Sequence, residues 1–354
     1  EAILRANRAR YEKYVTMHKG IKVLYLQLRK AMYGTLMAAL LWYELFANTI
    51  KSMGFVINPY DACVANKEIQ GKQFTICWYV DDLKLSHDNP AVVKEMINTL
   101  QEKFGEMNVE EGNKFTYLGM DIEIREQKVH IMMRSYIQEC IDSFGEAINT
   151  CAATPATNAL MNIDEKVEKL DDRRAKIYHH IVAKLLYVCK RSRLDIQVAI
   201  AFLCTRVKCP NIHDWLKLRR VLQYLRGSIN LCRTISMSSF YKMQIFVDAS
   251  HAVHHDMRSD TGGCVSMGVG VIHSRSAKQT LNSRSSTESE LIGSSDYLPY
   301  VVWLLYFFES QGYRIKKKLF HQDNQSTIRI LKNGKKSGGK QSRHVNIRYF
   351  WKAD

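Results

Sequence analysis

The chain has 354 residues, 46% hydrophobic and 24% charged, with 18 glycines and 5 prolines. Such a composition is globular, and the length predicts two or three domains; no run of about 18 apolar residues is present, so no membrane span is expected. The 51 Lys and Arg against 35 Asp and Glu leave a charge of +16, which favours a polyanionic partner because basic side chains on phosphates release condensed counterions.

The nine cysteines are scattered, and none forms a Cys-x-x-Cys pair or sits with His at zinc-finger spacing. That excludes a disulfide scaffold and points to a reducing compartment inside the cell. The start, Glu1-Ala2-Ile3-Leu4-Arg5, has neither an initiator Met nor a secretory pattern. The expectation is entry into the middle of a longer protein.

In chain order, Leu24–Leu26 reads as a strand, and Ala38 to Met53 as an amphipathic helix closed near Gly54. Cys63–Ala65 and Phe74–Val80 follow as strands, with Leu83–Leu85 as the hairpin return. A helix over 91–105 precedes strands near Phe115–Ile124 and Val129–Met133. From 134 to 230 the pattern is mostly helical, with helical spacing over Tyr178–Leu203 and His213–Leu225 and a loop at Cys151–Pro155. From Tyr241 it returns to strand, hairpin, strand, helix (286–311), strand (Lys317–Phe320) and helix (325–332), the order of a mixed α/β sheet. A basic, glycine-bearing loop covers 332–344.

Tyr79-Val80-Asp81-Asp82 stands between apolar strands, which places both acids in a tight turn. A turn selected for backbone geometry alone prefers Asn-Gly or Asp-Gly. Adjacent carboxylates repel, and a bound divalent cation relieves that cost; the other reading is a solvated Asp-Asp turn. Further along, the strand Met243–Val247 ends on Asp248, and Ser285-Ser-Thr-Glu288-Ser-Glu290 opens a helix. The strand Leu319–Phe320 runs into Gln322-Asp323-Asn324. One acid per element, at strand ends and on a helix, is how distant residues converge on metal ions. Asp248 is also suited to capping a turn, and Asp323 or Asn324 to capping the next helix. Glu288 fits a capping box with Ser285 and Glu290 one with Thr287, so spacing does not choose between them.

These motifs, with Leu28-Arg-Lys-Ala-Met-Tyr33-Gly34-Thr-Leu36, Trp42-Tyr43, Gly54-Phe55, Tyr117-Leu-Gly-Met-Asp-Ile122, Asp195-Ile196, His213 and Tyr224-Leu-Arg-Gly227, occur in one order along nearly the whole chain. Together they resemble the reverse transcriptase and ribonuclease H of copia-type LTR retrotransposon Pol polyproteins. The resemblance implies an α+β and α/β multidomain fold. A reverse-transcriptase palm would cover 1–135, a mostly helical thumb or connection 136–240, and a ribonuclease H-like mixed-sheet domain 241–354.

It also implies RNA-directed DNA polymerase and ribonuclease H activities, served by Mg²⁺ or Mn²⁺. Asp81 and Asp82 would be ligands in the first site, with Tyr33 and Gly34 near the incoming nucleotide. Tyr79 would pack against the primer end, or serve as a plain strand tyrosine. Asp248, Glu290 and Asp323 would be catalytic metal ligands in the second site; the family pattern prefers Glu290 to Glu288, because Leu291, Ile292 and Gly293 follow it. The partners implied are an RNA template, a DNA primer, dNTPs and an RNA–DNA hybrid, in a cytoplasmic particle or the nucleus. Basic clusters such as Arg191-Ser-Arg193, Lys217-Leu-Arg-Arg220 and Lys316–Lys318 would track phosphates or form solvated faces.

The chain departs from the family in three places. Met37 and Ala38-Ala39 stand where a Gln-Ala-Pro turn is common. An upstream strand aspartate and a downstream Ala-Asp segment are not reached. Arg343-His344-Val345-Asn346-Ile347 resembles the stretch before that segment, with His344 structural or phosphate-contacting, and Asp354 stands too early to replace the missing acid. A fragment that does not polymerise by itself is therefore expected, and a catalytically inactive relic that only binds nucleic acid is the alternative.

Overall fold

A computed structural model describes residues 2–25, 27, 31, 32 and 34–333. Its contacts divide into two units, the chain up to Ile57 with Cys63–Asp88, and Asn58–Ala62 with the chain from Asn89 onward. Tyr33, the loop beyond Asn333, His344 and Asp354 lie outside the described residues.

The first unit opens with the short helices α1 (Ala2–Ala6) and α2 (Arg8–Tyr11) and the hairpin β1 (Val15–His18) and β2 (Ile21–Leu24). Helix α3 (Leu36–Ser52) starts two residues earlier than its apolar spacing predicts. The reason is Thr35, whose hydroxyl accepts from Ala38 N at 3.2 Å and caps the helix. Gly54, at φ +87°, takes the chain out of it. Strands β3 (Val56–Asn58), β4 (Asp61–Ile69), β5 (Lys72–Tyr79) and β6 (Asp82–Ser86) form a sheet in the order β3-β4-β5-β6. Phe46 of α3 meets Trp78 of β5 edge-on at 5.2 Å, so helix and sheet share an aromatic core.

The second unit continues with α4 (Pro90–Phe104), β7 (Lys114–Tyr117), β8 (Met120–Arg125) and β9 (Lys128–Met132). The single strand expected over 115–124 is therefore a hairpin. Leu118 and Gly119 turn the chain at φ +52° and +69°, and the Tyr187 hydroxyl donates to Leu118 O at 2.7 Å. Helices α5 (Arg134–Asp142), α6 (Asp172–Arg191), α7 (Gln197–Arg206) and α8 (Ile212–Gly227) enclose a core that includes Phe144, Ile181, Leu185, Leu203 and Leu222. The helix expected over Tyr178–Leu203 is two helices. Arg193, 1% exposed, turns inward between them to Asp195.

After α8 comes an element that the sequence pattern did not predict, β10 (Arg233–Met237). Then follow β11 (Lys242–Ser250), β12 (Asp260–Ser266), β13 (Gly268–Val269), β14 (Val271–Lys278), α9 (Ser286–Ser310), β15 (Lys317–His321) and α10 (Gln325–Asn333). Strand β10 joins β9 to β13 in a sheet of order β13-β10-β9-β8-β7. The second sheet has the order β14-β12-β11-β15, antiparallel except for the parallel pair β11 and β15, which matches the predicted mixed sheet.

Helix α9 corrects one exclusion: by length and composition it is long and apolar enough to cross a membrane. Its placement accounts for that composition. Tyr297, Val301 and Leu304 are buried with Met243, Ile245, Val247 and Val265 of the second sheet, so the apolar residues serve a protein core.

Candidate functional site

The hairpin of β5 and β6 differs from its expected form by one residue. Tyr79 pairs with Asp82, so the turn consists of Val80 and Asp81, and Asp82 is the first residue of β6. Val80 holds φ +55°, a conformation that costs a β-branched residue roughly 1–2 kcal/mol. Trp42 Nε1 donates to Val80 O and holds the turn from α3. Tyr79 is exposed, as are both aspartates. Gly34, at φ +85°, lies just before α3, and Met37 is exposed in that helix's first turn. The tip thus presents two hard oxygen donors to solvent, a set suited to Mg²⁺ or Mn²⁺. Among the described residues no third His, Cys or acidic ligand groups with them.

The other three acids meet. Asp248 on β11, Glu290 on α9 and Asp323 just after β15 each offer a carboxylate oxygen, and these atoms lie within 4.8 Å of one another. Two glycines bring the helix that close to the sheet. A Cβ on Gly263 of β12 would stand 2.4 Å from the Tyr297 ring, and one on Gly293 would stand 3.4 Å from Ala249 Cβ. Glu290, one turn before Gly293, thereby reaches the end of β11.

Glu290 is 5% exposed, whereas Asp248 and Asp323 are open to solvent. Its Oε1 accepts from Ala249 N at 3.2 Å and its Oε2 from Gln322 Nε2 at 3.0 Å. Burial pushes its carboxyl up to about 7, and the neighbouring Asp248 charge adds to that. The two hydrogen bonds oppose the rise without cancelling it. A buried, hydrogen-bonded carboxylate crowded by two exposed ones has a surplus of negative charge. An oxygen-only donor set of this kind fits a hard divalent cation.

The capping alternatives separate in space. Ser285 caps α9 by accepting from Glu288 N at 3.2 Å, while Glu288 Oε2 accepts from Arg284 N at 2.7 Å. Glu288 is engaged in the helix start, and Glu290, two residues on, turns to Asp248. Asn324 rather than Asp323 caps α10, accepting from Thr327 N at 2.9 Å.

Most of the basic clusters proposed for phosphates serve the fold instead. Arg193 pairs with Asp195 at 2.7 Å, and Arg191 lies 3.5 Å over the Tyr187 ring. On α8, Lys217, Arg220 and Arg226 donate to Asn162 O, Thr154 Oγ1 and Ile148 O, and so bind the loop before α6 to the helix. Gln322 was given no role by the sequence, Trp42 entered only through the family resemblance, and Thr261-Gly262-Gly263, expected as a hairpin turn, lies inside β12. The Gln322-Asp323 adjacency was the one available signal for Gln322.

Comparison with known proteins gives the segment that carries the Asp81–Asp82 hairpin a family. Residues 10–158 match the reverse transcriptase (RNA-dependent DNA polymerase) family. The chain is 26% identical over 341 residues, 94% of its length, to the retrovirus-related Pol polyprotein from transposon TNT 1-94 of Nicotiana tabacum. Residues 10–158 form a reverse transcriptase domain of the copia type. The chain with this reverse transcriptase domain spans 25% of the tobacco polyprotein. It is 27% identical to a putative transposon Ty5-1 protein of Saccharomyces cerevisiae, covering 76% of the chain and 87% of that protein. It is 26% identical to the Pol polyprotein from transposon RE1 of Arabidopsis thaliana, covering 87% of the chain and 21% of that protein. No solved structure matches it.

Proposed function

We propose that the chain joins part of an RNA-directed DNA polymerase to a ribonuclease H-like nuclease that hydrolyses the RNA of an RNA–DNA hybrid. The observation that carries the nuclease reading is the meeting of Asp248, Glu290 and Asp323 within 4.8 Å. They come from three elements up to 75 positions apart in the chain, and nothing in fold stability requires three carboxylates to converge. A divalent cation held by these three residues would lower the pKa of a bound water and polarise the scissile phosphate. The protein's own part is positional. Gln322 and Ala249 N hold Glu290 toward the two strand-end aspartates, and the open sides of Asp248 and Asp323 leave room for a phosphate backbone. The +16 charge supports a nucleic-acid substrate without base specificity.

In the polymerase half, Asp81 and Asp82 would supply two ligands of a site completed by a further carboxylate, with Gly34 and Tyr79 beside the nucleotide and primer. RNA template, DNA primer and dNTPs would be its partners, inside the cell, where nine free cysteines stay reduced. The second reading, a chain that binds nucleic acid without cleaving it, is favoured at this hairpin because no third ligand stands there among the described residues. The test is cleavage of an RNA–DNA hybrid with Mg²⁺ or Mn²⁺ by the wild-type chain and by Asp248→Asn. The nuclease reading expects RNA cleavage that needs the metal and falls at least a hundredfold in the variant. Equal hybrid binding with cleavage by neither form would leave only the binding reading.

A further inference from the structure

At the start of β11 and β15, away from the carboxylates, three aromatic rings stand in solvent. Phe240 and Tyr313 stack with centroids 4.6 Å apart and 16° between their planes, and are 47% and 38% exposed. Tyr241, 59% exposed, has Lys316 Nζ 5.1 Å from its ring centroid. Lys317 N donates to Tyr241 O at 2.7 Å, and Lys242 lies beside Lys317 in the parallel pairing. Lys242, Arg314, Lys316, Lys317 and Lys318 are all exposed. None of the five forms an ion pair with an acid among the described residues. Five like charges on adjoining strand ends repel one another, and a polyanion relieves that cost. Lysines on the edge strand β15 also discourage strand pairing, but that role does not call for three exposed rings at the adjoining strand ends.

We propose that this patch binds single-stranded nucleic acid. A duplex shows its phosphates and hides its base faces, so only unpaired bases can stack on Tyr241 or on the Phe240–Tyr313 pair. The rings select the strand state while the lysines and Arg314 follow the backbone. Between Lys242 and Asp248, β11 advances about 20 Å at the usual rise per residue. The patch therefore suits a strand that extends beyond the hybrid, or one freed as its RNA partner is hydrolysed. The proposal rests on the nucleic-acid reading above.

The test uses the whole 354-residue chain. Fluorescence anisotropy would measure binding of labelled oligothymidylate, oligouridylate and a blunt RNA–DNA hybrid to wild type, Tyr241→Ala and Lys316→Gln/Lys318→Gln. Tyr241→Ala is expected to weaken both single strands about tenfold and leave blunt-hybrid binding unchanged. The lysine double variant is expected to lower the log–log salt slope for single strands by about 1.4, from about 0.7 per phosphate contact. Unaltered melting temperatures would show that the fold is intact. Single-strand affinity and salt slope that do not move, or an equal loss on the blunt hybrid, would overturn the proposal. A wild-type chain that cleaves the hybrid while the patch variants bind like wild type would sink the patch and spare the nuclease. A wild-type chain that binds none of the three probes would sink both.

Discussion

Gln322 Nε2 donates to Glu290 Oε2 at 3.0 Å, while Gln322 Oε1 accepts from Asn324 N at 3.0 Å. One side chain thus ties the buried acid of α9 to the turn that carries Asp323. A carboxylate free to rotate must be ordered when a cation binds, and a hydrogen bond made beforehand removes that cost. Gln322→Met, which keeps the volume and loses the donor, is expected to weaken Mn²⁺ binding about tenfold or more. Electron paramagnetic resonance of free Mn²⁺ would measure it, and saturating metal should restore most of the hybrid cleavage rate. A lower rate at saturation with unchanged Mn²⁺ affinity would mean that Gln322 only shapes the turn.

Glu290 sets a pH dependence. Its carboxyl is raised from 4.5 to about 7 in the fold, so between those values the folded state holds a proton that the unfolded state has released. Stability of the metal-free chain is therefore expected to fall as pH rises from about 4.5 to about 7. Divalent-ion affinity should rise over the same window, because the cation competes with that proton. Thermal melting with and without Mg²⁺ across pH 5 to 8 would show both trends, and Glu290→Gln should flatten them.

Gly263 controls how near α9 lies to the sheet. With the Tyr297 ring 2.4 Å from the site of an added Cβ, Gly263→Ala is expected to cost about 1–3 kcal/mol. The displaced helix would carry Glu290 away from Asp248, so Mn²⁺ affinity should fall along with the urea midpoint. Ordinary metal affinity in a destabilised variant would show that the cluster tolerates the shift.

Arg193, buried in the helical part, makes a two-point contact with Asp195, Nε to Oδ1 at 3.0 Å and Nη2 to Oδ2 at 2.7 Å. Burial raises the Asp195 carboxyl, but the Arg193 and Tyr224 hydrogen bonds and the Arg193 charge outweigh it, and the net shift is downward. Its stabilisation is therefore complete above the ordinary value of 3.8 and lost as pH falls through the lower folded-state value. Asp195→Asn leaves Arg193 buried without a full countercharge, which should cost about 3 kcal/mol at pH 7 in urea unfolding. The gap to wild type should narrow under strongly acidic conditions.

Local chemistry was enough to locate much of this protein. The apolar strands that carry Asp248 and lead to Asp323, a helix opening with Ser285, and the Tyr79–Asp82 hairpin all follow from short-range periodicity and capping. Strand β10 was missed because five residues between a helix and a turn carry no period of their own. They become a strand only because β9 and β13 offer them backbone partners.

The carboxylates show the same division. That acids sit at the ends of β11 and β15 and at the start of α9 is a property of the chain, and it named Asp248, Asp323 and one of Glu288 and Glu290 as a set. Which glutamate turns inward was not decidable from it, since Glu288 and Glu290 satisfy the same capping spacing. Only the close approach of α9 allowed by Gly263 and Gly293 points Glu290 at Asp248 and leaves Glu288 at the helix start. The charge of Arg193, Lys217 and Arg220 was likewise visible in the sequence, but its use was not. A cation's role depends on which carbonyl, hydroxyl or carboxylate the fold brings within 3 Å, and that distance belongs to the tertiary structure alone.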